Sequence, residues 1–162
     1  HLLSRRQRQM CIRDRRSTFS KFKSEATGSD KHYSFSIAEN PQADTVHLFE
    51  AAIDLLSYAT LEKYAGRDWK QEALLSLAGV FTPKRQGIVP VALSRFLEEH
   101  PQITTLRLHL DNDEVGRAAA QGILDGLQGY TVLDEPPTRG KDVNEQLQLQ
   151  LGLMKKKEDW ER

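Results

Sequence analysis

From residue 45 onward, apolar and polar positions recur with a regular period. TVHLFE (45–50) is an apolar run of strand length, and AAIDLLSYATLEKYAG (51–66) repeats its apolar residues at helical spacing until Gly66 closes the run. LLSLAGV (74–80) predicts a second strand, and IVPVALSRFLEEHP (88–101) a helix with Pro90 tolerated in its first turn. TLRLHLD (105–111) predicts a third strand and DEVGRAAAQGILDGLQG (113–129) the helix after it. YTVLDE (130–135) predicts a fourth strand, with PPTRG as its exit loop. DVNEQLQLQLGLMKK (142–156) predicts a last helix, capped by Asp142 with Glu145 three residues on. Strands alternating with helices predict an α/β fold, a compact Rossmann-like sheet of about four parallel strands with helices on both faces.

Before residue 45 the pattern is weaker. Residues 16–44 are polar, and only HYSFSI (32–37) alternates like a strand, preceded by turn-forming residues 26–30 and followed by AENPQAD. The expected organisation is a remnant of an upstream domain with its linker (16–44), one α/β domain (45–150) and a solvated, mixed-charge tail (151–162).

Charge changes the picture at the N-terminus. The net charge of zero hides an arm, residues 1–15, in which five arginines against Asp14 give +4 and leave −4 for residues 16–162. Such an arm has two ordinary readings, a phosphate-gripping tail or a solvated terminus. A third reading displaces both. RRQRQMCIRD followed by Arg, residues 5–15, resembles the translation of a transposase-type sequencing-library adaptor. Residues 1–15 are therefore expected to be non-native, packed poorly against the domain and fused to a gene shortened at its 5′ side. The single cysteine, Cys11, lies in this arm, so the remainder has no thiol chemistry, as expected of a cytoplasmic protein. No run approaches the ~18 consecutive apolar residues of a membrane helix.

In a parallel α/β sheet, ligands bind outside the carboxyl ends of the strands. Glu50 ends the first strand there, and Asp111 and Asp113 end the third. If those strands are neighbours, the carboxylates converge and must share a proton or hold a cation; hard oxygen donors of this kind suit Mg²⁺. A strand-end aspartate is also a common helix cap. Gly116 in D-N-D-E-V-G-R permits close backbone approach at a helix start, where free N–H groups favour phosphate. Lys141, beside Asp142 in GKDVNEQL, is placed to meet a phosphate or to sit idle in solvent, and Gly79 in LSLAG serves close approach or a plain turn. His47 and His109 read as packed core histidines rather than ligands, and no zinc-type spacing of Cys and His occurs. Trp69 and Trp160 read as cover for the sheet or a loop rather than as base-stacking platforms.

FEAAIDLLSYA, LLSLAG, LHLDNDEVGRAAA and GKDVNEQL, in this order and spacing over about residues 45–150, resemble the Toprim domain. That domain is shared by bacterial primases, type IA and type II topoisomerases, and certain nucleases and recombination proteins. The likeness is greatest to primase-like Toprim proteins of bacterial mobile and conjugative elements. It implies Mg²⁺- or Mn²⁺-dependent phosphoryl or nucleotidyl transfer on nucleic acid, with a partner domain lying upstream. It also implies that Glu50 is the general acid or base, that Asp111 and Asp113 are the metal-binding D-x-D pair, and that Asp54 is an accessory acid. Lys141 and Asp142 resemble the start of the primase K-D-P-D motif. Two positions depart from the pattern: Ala51 follows the glutamate where glycine is common, and Asn144 replaces the second aspartate of that motif. Two other readings are a non-catalytic Toprim that binds nucleic acid or a replication partner, and a phosphorylation receiver. The receiver requires an acidic pair after the first strand and a fifth strand.

Overall fold

The computed structural model describes residues 30, 32–79 and 89–153, together with the backbone of 14–16 and 23–25. The arm expected to be loose lies outside the described residues except for Asp14 and Arg15. These belong to β1 (Asp14–Arg16), which pairs with β2 (Lys23–Glu25) in a separate antiparallel ladder.

The main sheet has the order β3-β5-β4-β6-β7. It consists of β3 (Ser36–Ile37), β4 (Thr45–Phe49), β5 (Ala73–Ser76), β6 (Thr105–His109) and β7 (Thr131–Asp134). The last four are parallel, as the alternation of elements predicts, and β3 adds an antiparallel edge. The described helices are α1 (Ala52–Tyr64), α2 (Val91–Glu99), α3 (Glu114–Gly126) and α4 (Val143–Gln150).

Period-2 geometry sorts the strand residues between two cores. Val46 and Leu48 of β4, with Leu106 and Leu108 of β6, pack on one face against Leu93, Phe96 and Leu97 of α2 and Ala119, Ala120 and Ile123 of α3. Phe49 and Leu74 pack on the other face against Leu55, Ala59 and Leu61 of α1 and Val143 of α4. Every residue of β4 is buried, as a central strand covered on both faces requires.

The path of the chain creates the site. From β4 the chain crosses through α1 to β5 on one side, then returns through α2 to β6 on the other side of β4. The helices after β4 and β6 consequently leave on opposite faces, α1 in one core and α3 in the other. A crevice opens at the carboxyl ends of these neighbours, the switch point where open α/β sheets bind ligands.

Two elements differ from expectation. HYSFSI is not set apart from the sheet. Ser76 N–H donates to the Phe35 carbonyl at 2.9 Å, the Ser34 hydroxyl donates to the Ser76 carbonyl, and Phe35 and Ile37 pack on the α1/α4 core. The alternation marks a strand there, but two ladder residues are too few to show which sheet it joins. The last helix, expected over 142–156, stops at Gln150. Gly152 adopts φ 68°, and the Gly152 and Leu153 N–H groups turn back to the Leu149 and Gln148 carbonyls at 3.3 and 2.9 Å. That is a Schellman ending, which leucines continuing at helical spacing conceal. Trp160 lies outside the described residues. Trp69 packs against the α1/α4 core, as a covering residue does.

Candidate active site

Glu50 leaves β4 directly into the crevice, and the exit loop of β5 fixes its backbone. Leu77 N–H donates to the Phe49 carbonyl and Gly79 N–H to the Glu50 carbonyl, both at 2.8 Å. Ala78 and Gly79 take φ 55° and 92° to make this return. Ala51 caps α1 with φ −129°, extended backbone open to any residue, so the glycine common at this position is not a backbone requirement here. The Glu50 carboxyl is half-buried and pushed up to about 7, chiefly by burial and then by Asp111; Asp113 and Asp54 add to the rise and Lys141 opposes it.

Asp111 follows β6 and is buried, and burial raises its pKa against the pull of Lys141. Asp113 divides its carboxylate between two tasks. Its Oδ1 accepts the Gly116 N–H at 2.8 Å as the N-cap of α3, and its Oδ2 lies 3.0 Å from the Lys141 ammonium. Both contacts hold its pKa low, the Gly116 N–H foremost. The same ammonium lies 3.1 Å from Asp111 Oδ2. Hydrogen bonds to Asp113 and then Asp111 drive the Lys141 pKa upward, so it stays charged. Its backbone is also fixed: Asn112 N–H donates to the Lys141 carbonyl at 2.7 Å, and the Lys141 N–H donates to the Glu145 carboxylate.

Gly116 is required by close approach, since a Cβ there would collide with the backbone of Asp111. The neighbouring Arg117 is a residue that sequence reasoning passed over. Its Nη2 donates to the Leu110 carbonyl at 2.8 Å and its Nε to the Asp111 carbonyl at 3.2 Å. Its Nη1 lies 2.8 and 2.7 Å from the two carboxylate oxygens of Asp134 at the end of β7. One guanidinium thus clamps the strand exit that presents Asp111. The only sequence signal was an arginine in the first turn after a strand-end acid.

The other candidates lie beside this group. Asp142 caps α4 by accepting the Glu145 N–H at 2.7 Å. Asp54 is buried in the first turn of α1 and accepts the Asn144 N–H at 3.2 Å, while the Ser57 hydroxyl donates to the Asn144 side-chain oxygen at 3.2 Å. The residue replacing the expected aspartate therefore ties the first turns of α1 and α4 together. His47 and His109 are packed on the α1/α4 side of the sheet, 2.8 Å apart between Nδ1 and Nε2, with His109 Nδ1 donating to the Glu135 carbonyl at 3.0 Å.

Among the described residues, no three His, Cys, Asp or Glu side chains are gathered as a ready-made metal cluster. The donor chemistry nevertheless fits Mg²⁺. Two carboxylate oxygens already share one cationic group, the Lys141 ammonium, and Mg²⁺ typically takes one or two carboxylates and leaves its other positions to water and phosphate.

Fold and site together define an open α/β domain with a carboxylate-lined crevice at its switch point. The sequence pattern of the Toprim-like family matches residues 47–147, more than half of the 162-residue chain, and the chain belongs to that family. Toprim domains generally bind Mg²⁺ through acidic residues and act on nucleic acid. The receiver reading falls with this assignment, and the fifth strand of the sheet is the antiparallel β3. No curated protein matches the chain. No described helix is long and apolar enough to cross a membrane.

Proposed function

We propose that the chain is a primase-like Toprim module for Mg²⁺-dependent phosphoryl or nucleotidyl transfer on nucleic acid, working in the replication or transfer of a mobile element in the cytoplasm. The observation that carries this reading is the single cation position shared by Asp111 and Asp113 beside a carboxyl that ionises near pH 7. Phosphoryl transfer asks the protein mainly for positioning and neutralisation of charge. Asp111 and Asp113 would hold the metal, Mg²⁺ or Mn²⁺, whose chemistry is to polarise a phosphate oxygen. Glu50 takes the proton from an attacking hydroxyl or returns it to a leaving oxygen, and the burial that first raises its pKa favours its holding that proton. Arg117 holds the Asp111 backbone, and Asp54 and Asp142 hold the helix starts around the crevice. Residues 16–162 carry −4, so the basic surface that grips nucleic acid belongs in this reading to an upstream domain of the same protein.

One observation favours the non-catalytic alternative: Lys141 already neutralises both aspartates. Calorimetric titration with Mg²⁺ and Mn²⁺ separates the two. The wild-type chain is expected to bind metal, Asp111→Asn to weaken binding at least ~10-fold, and Glu50→Gln to bind metal but lose metal-dependent primer synthesis or strand cleavage by ~100-fold or more. Binding by neither the wild type nor a variant without the Lys141 ammonium, or unchanged binding by Asp111→Asn, removes the metal site. Full activity in Glu50→Gln removes the assigned proton transfer. Nucleic-acid binding without turnover by the intact protein establishes the non-catalytic reading.

A further inference from the structure

We infer that Lys141 is a removable internal counter-ion, which fills the cation position between Asp111 and Asp113 and must leave it for a divalent metal to bind. The inference rests on the reading of those two aspartates as metal ligands. The ammonium lies 3.1 Å from Asp111 Oδ2 and 3.0 Å from Asp113 Oδ2. A Mg²⁺ ion bound to both oxygens at about 2.0–2.1 Å would take the same space, and two cations so close repel strongly. One must go, and mobility decides which. The Asp111 side chain is only 10% exposed, and Asp113 is pinned by the Gly116 N–H. The Lys141 side chain is 53% exposed, on a flexible four-carbon stem. Its backbone is held by Asn112 and Glu145, so exchange needs rotation of the side chain alone.

The consequence is linkage. Metal binding breaks two charge-assisted contacts of Lys141 and releases a charged donor at the mouth of the crevice. A phosphate arriving with the metal gives that donor a new partner. Metal alone therefore binds weakly, and metal with a phosphate-bearing substrate binds better, a reciprocal coupling of the two. Lys141 thus guards the site against bare cations and, once displaced, serves as a phosphate-positioning residue.

The test is Mn²⁺ binding by the full chain, read as free Mn²⁺ by electron paramagnetic resonance, with no substrate and no activity measured. Lys141→Met is expected to bind Mn²⁺ ~10-fold or more tightly than wild type, because the competitor is gone. Lys141→Arg, which keeps a cation in place, is expected to remain within ~3-fold of wild type. Thermal unfolding checks that each variant is folded, and Lys141→Gln substitutes for Lys141→Met if that variant aggregates. Equal or weaker binding by a folded Lys141→Met or Lys141→Gln, with wild type still binding, overturns the inference and leaves the metal site standing. Absence of binding in wild type and variants alike overturns both.

Discussion

Glu50 keeps its proton to about pH 7 in the folded chain because it is half-buried beside Asp111, whereas an unperturbed glutamate ionises near 4.5. Between those values the folded state holds a proton that the unfolded state has lost, so stability falls as pH rises through this window. Glu50→Gln removes that loss. Denaturant unfolding should show the variant gaining about 1–2 kcal/mol relative to wild type between pH 5 and pH 8, a figure discounted for solvent reaching a half-exposed carboxylate. Gly116→Ala acts oppositely at every pH. Its methyl group meets the Asp111 backbone, so a cost of about 1–3 kcal/mol in the same measurement is expected, with weaker metal binding as Asp111 shifts. At this scale, the placement of the candidate carboxylates was legible. Glu50, Asp111 and Asp113 stand out because strand ends in parallel sheets are where ligands bind. Arg117 did not stand out, since a guanidinium reaching two carbonyls and a carboxylate across three elements looks in sequence like any surface helix arginine.

Elements are held at the site by a few side-chain ties. Arg117 joins the exit of β6 to the end of β7, and its removal strands the Leu110 and Asp111 carbonyls and the Asp134 carboxylate. Arg117→Ala is expected to cost about 2 kcal/mol in urea unfolding. Because Arg117 holds the Asp111 backbone, its loss should also reduce Mn²⁺ affinity, and Arg117→Lys should restore only part of either. On the α1/α4 side, β4 and β6 are joined through His47 and His109. Burial first, and then the neighbouring His47, push His109 down to about 3. The unfolded chain takes up a proton near 6.5 that the folded chain refuses, so stability is lost as pH falls below 6.5. His109→Gln should flatten that acid limb, by on the order of 2 kcal/mol at pH 4. The helices themselves were legible from their apolar spacing, but not where the last one ends. A run of leucines cannot report that Gly152 has turned left-handed.

For the whole molecule, the order of connections matters more than any single contact. The chain visits one side of β4 and then the other, and this alone brings Glu50 next to Asp111 across 60 intervening positions. Alternation of strand and helix predicted a parallel sheet, but not which strands would be neighbours. That order depends on which side of β4 each crossover takes, a choice made by packing in three dimensions. Composition changes near residue 45, while the sheet continues across it into β3. β3 covers the hydrogen-bonding edge of β5, whose residues 73–76 are all buried. A chain trimmed to begin at Thr45 would leave that edge bare, with nothing to stop two copies joining strand to strand. Sedimentation should then find the trimmed piece self-associating more strongly than one begun ahead of Asp30. A dozen residues that look like a tether would thus act as the stopper on the β5 edge of this sheet.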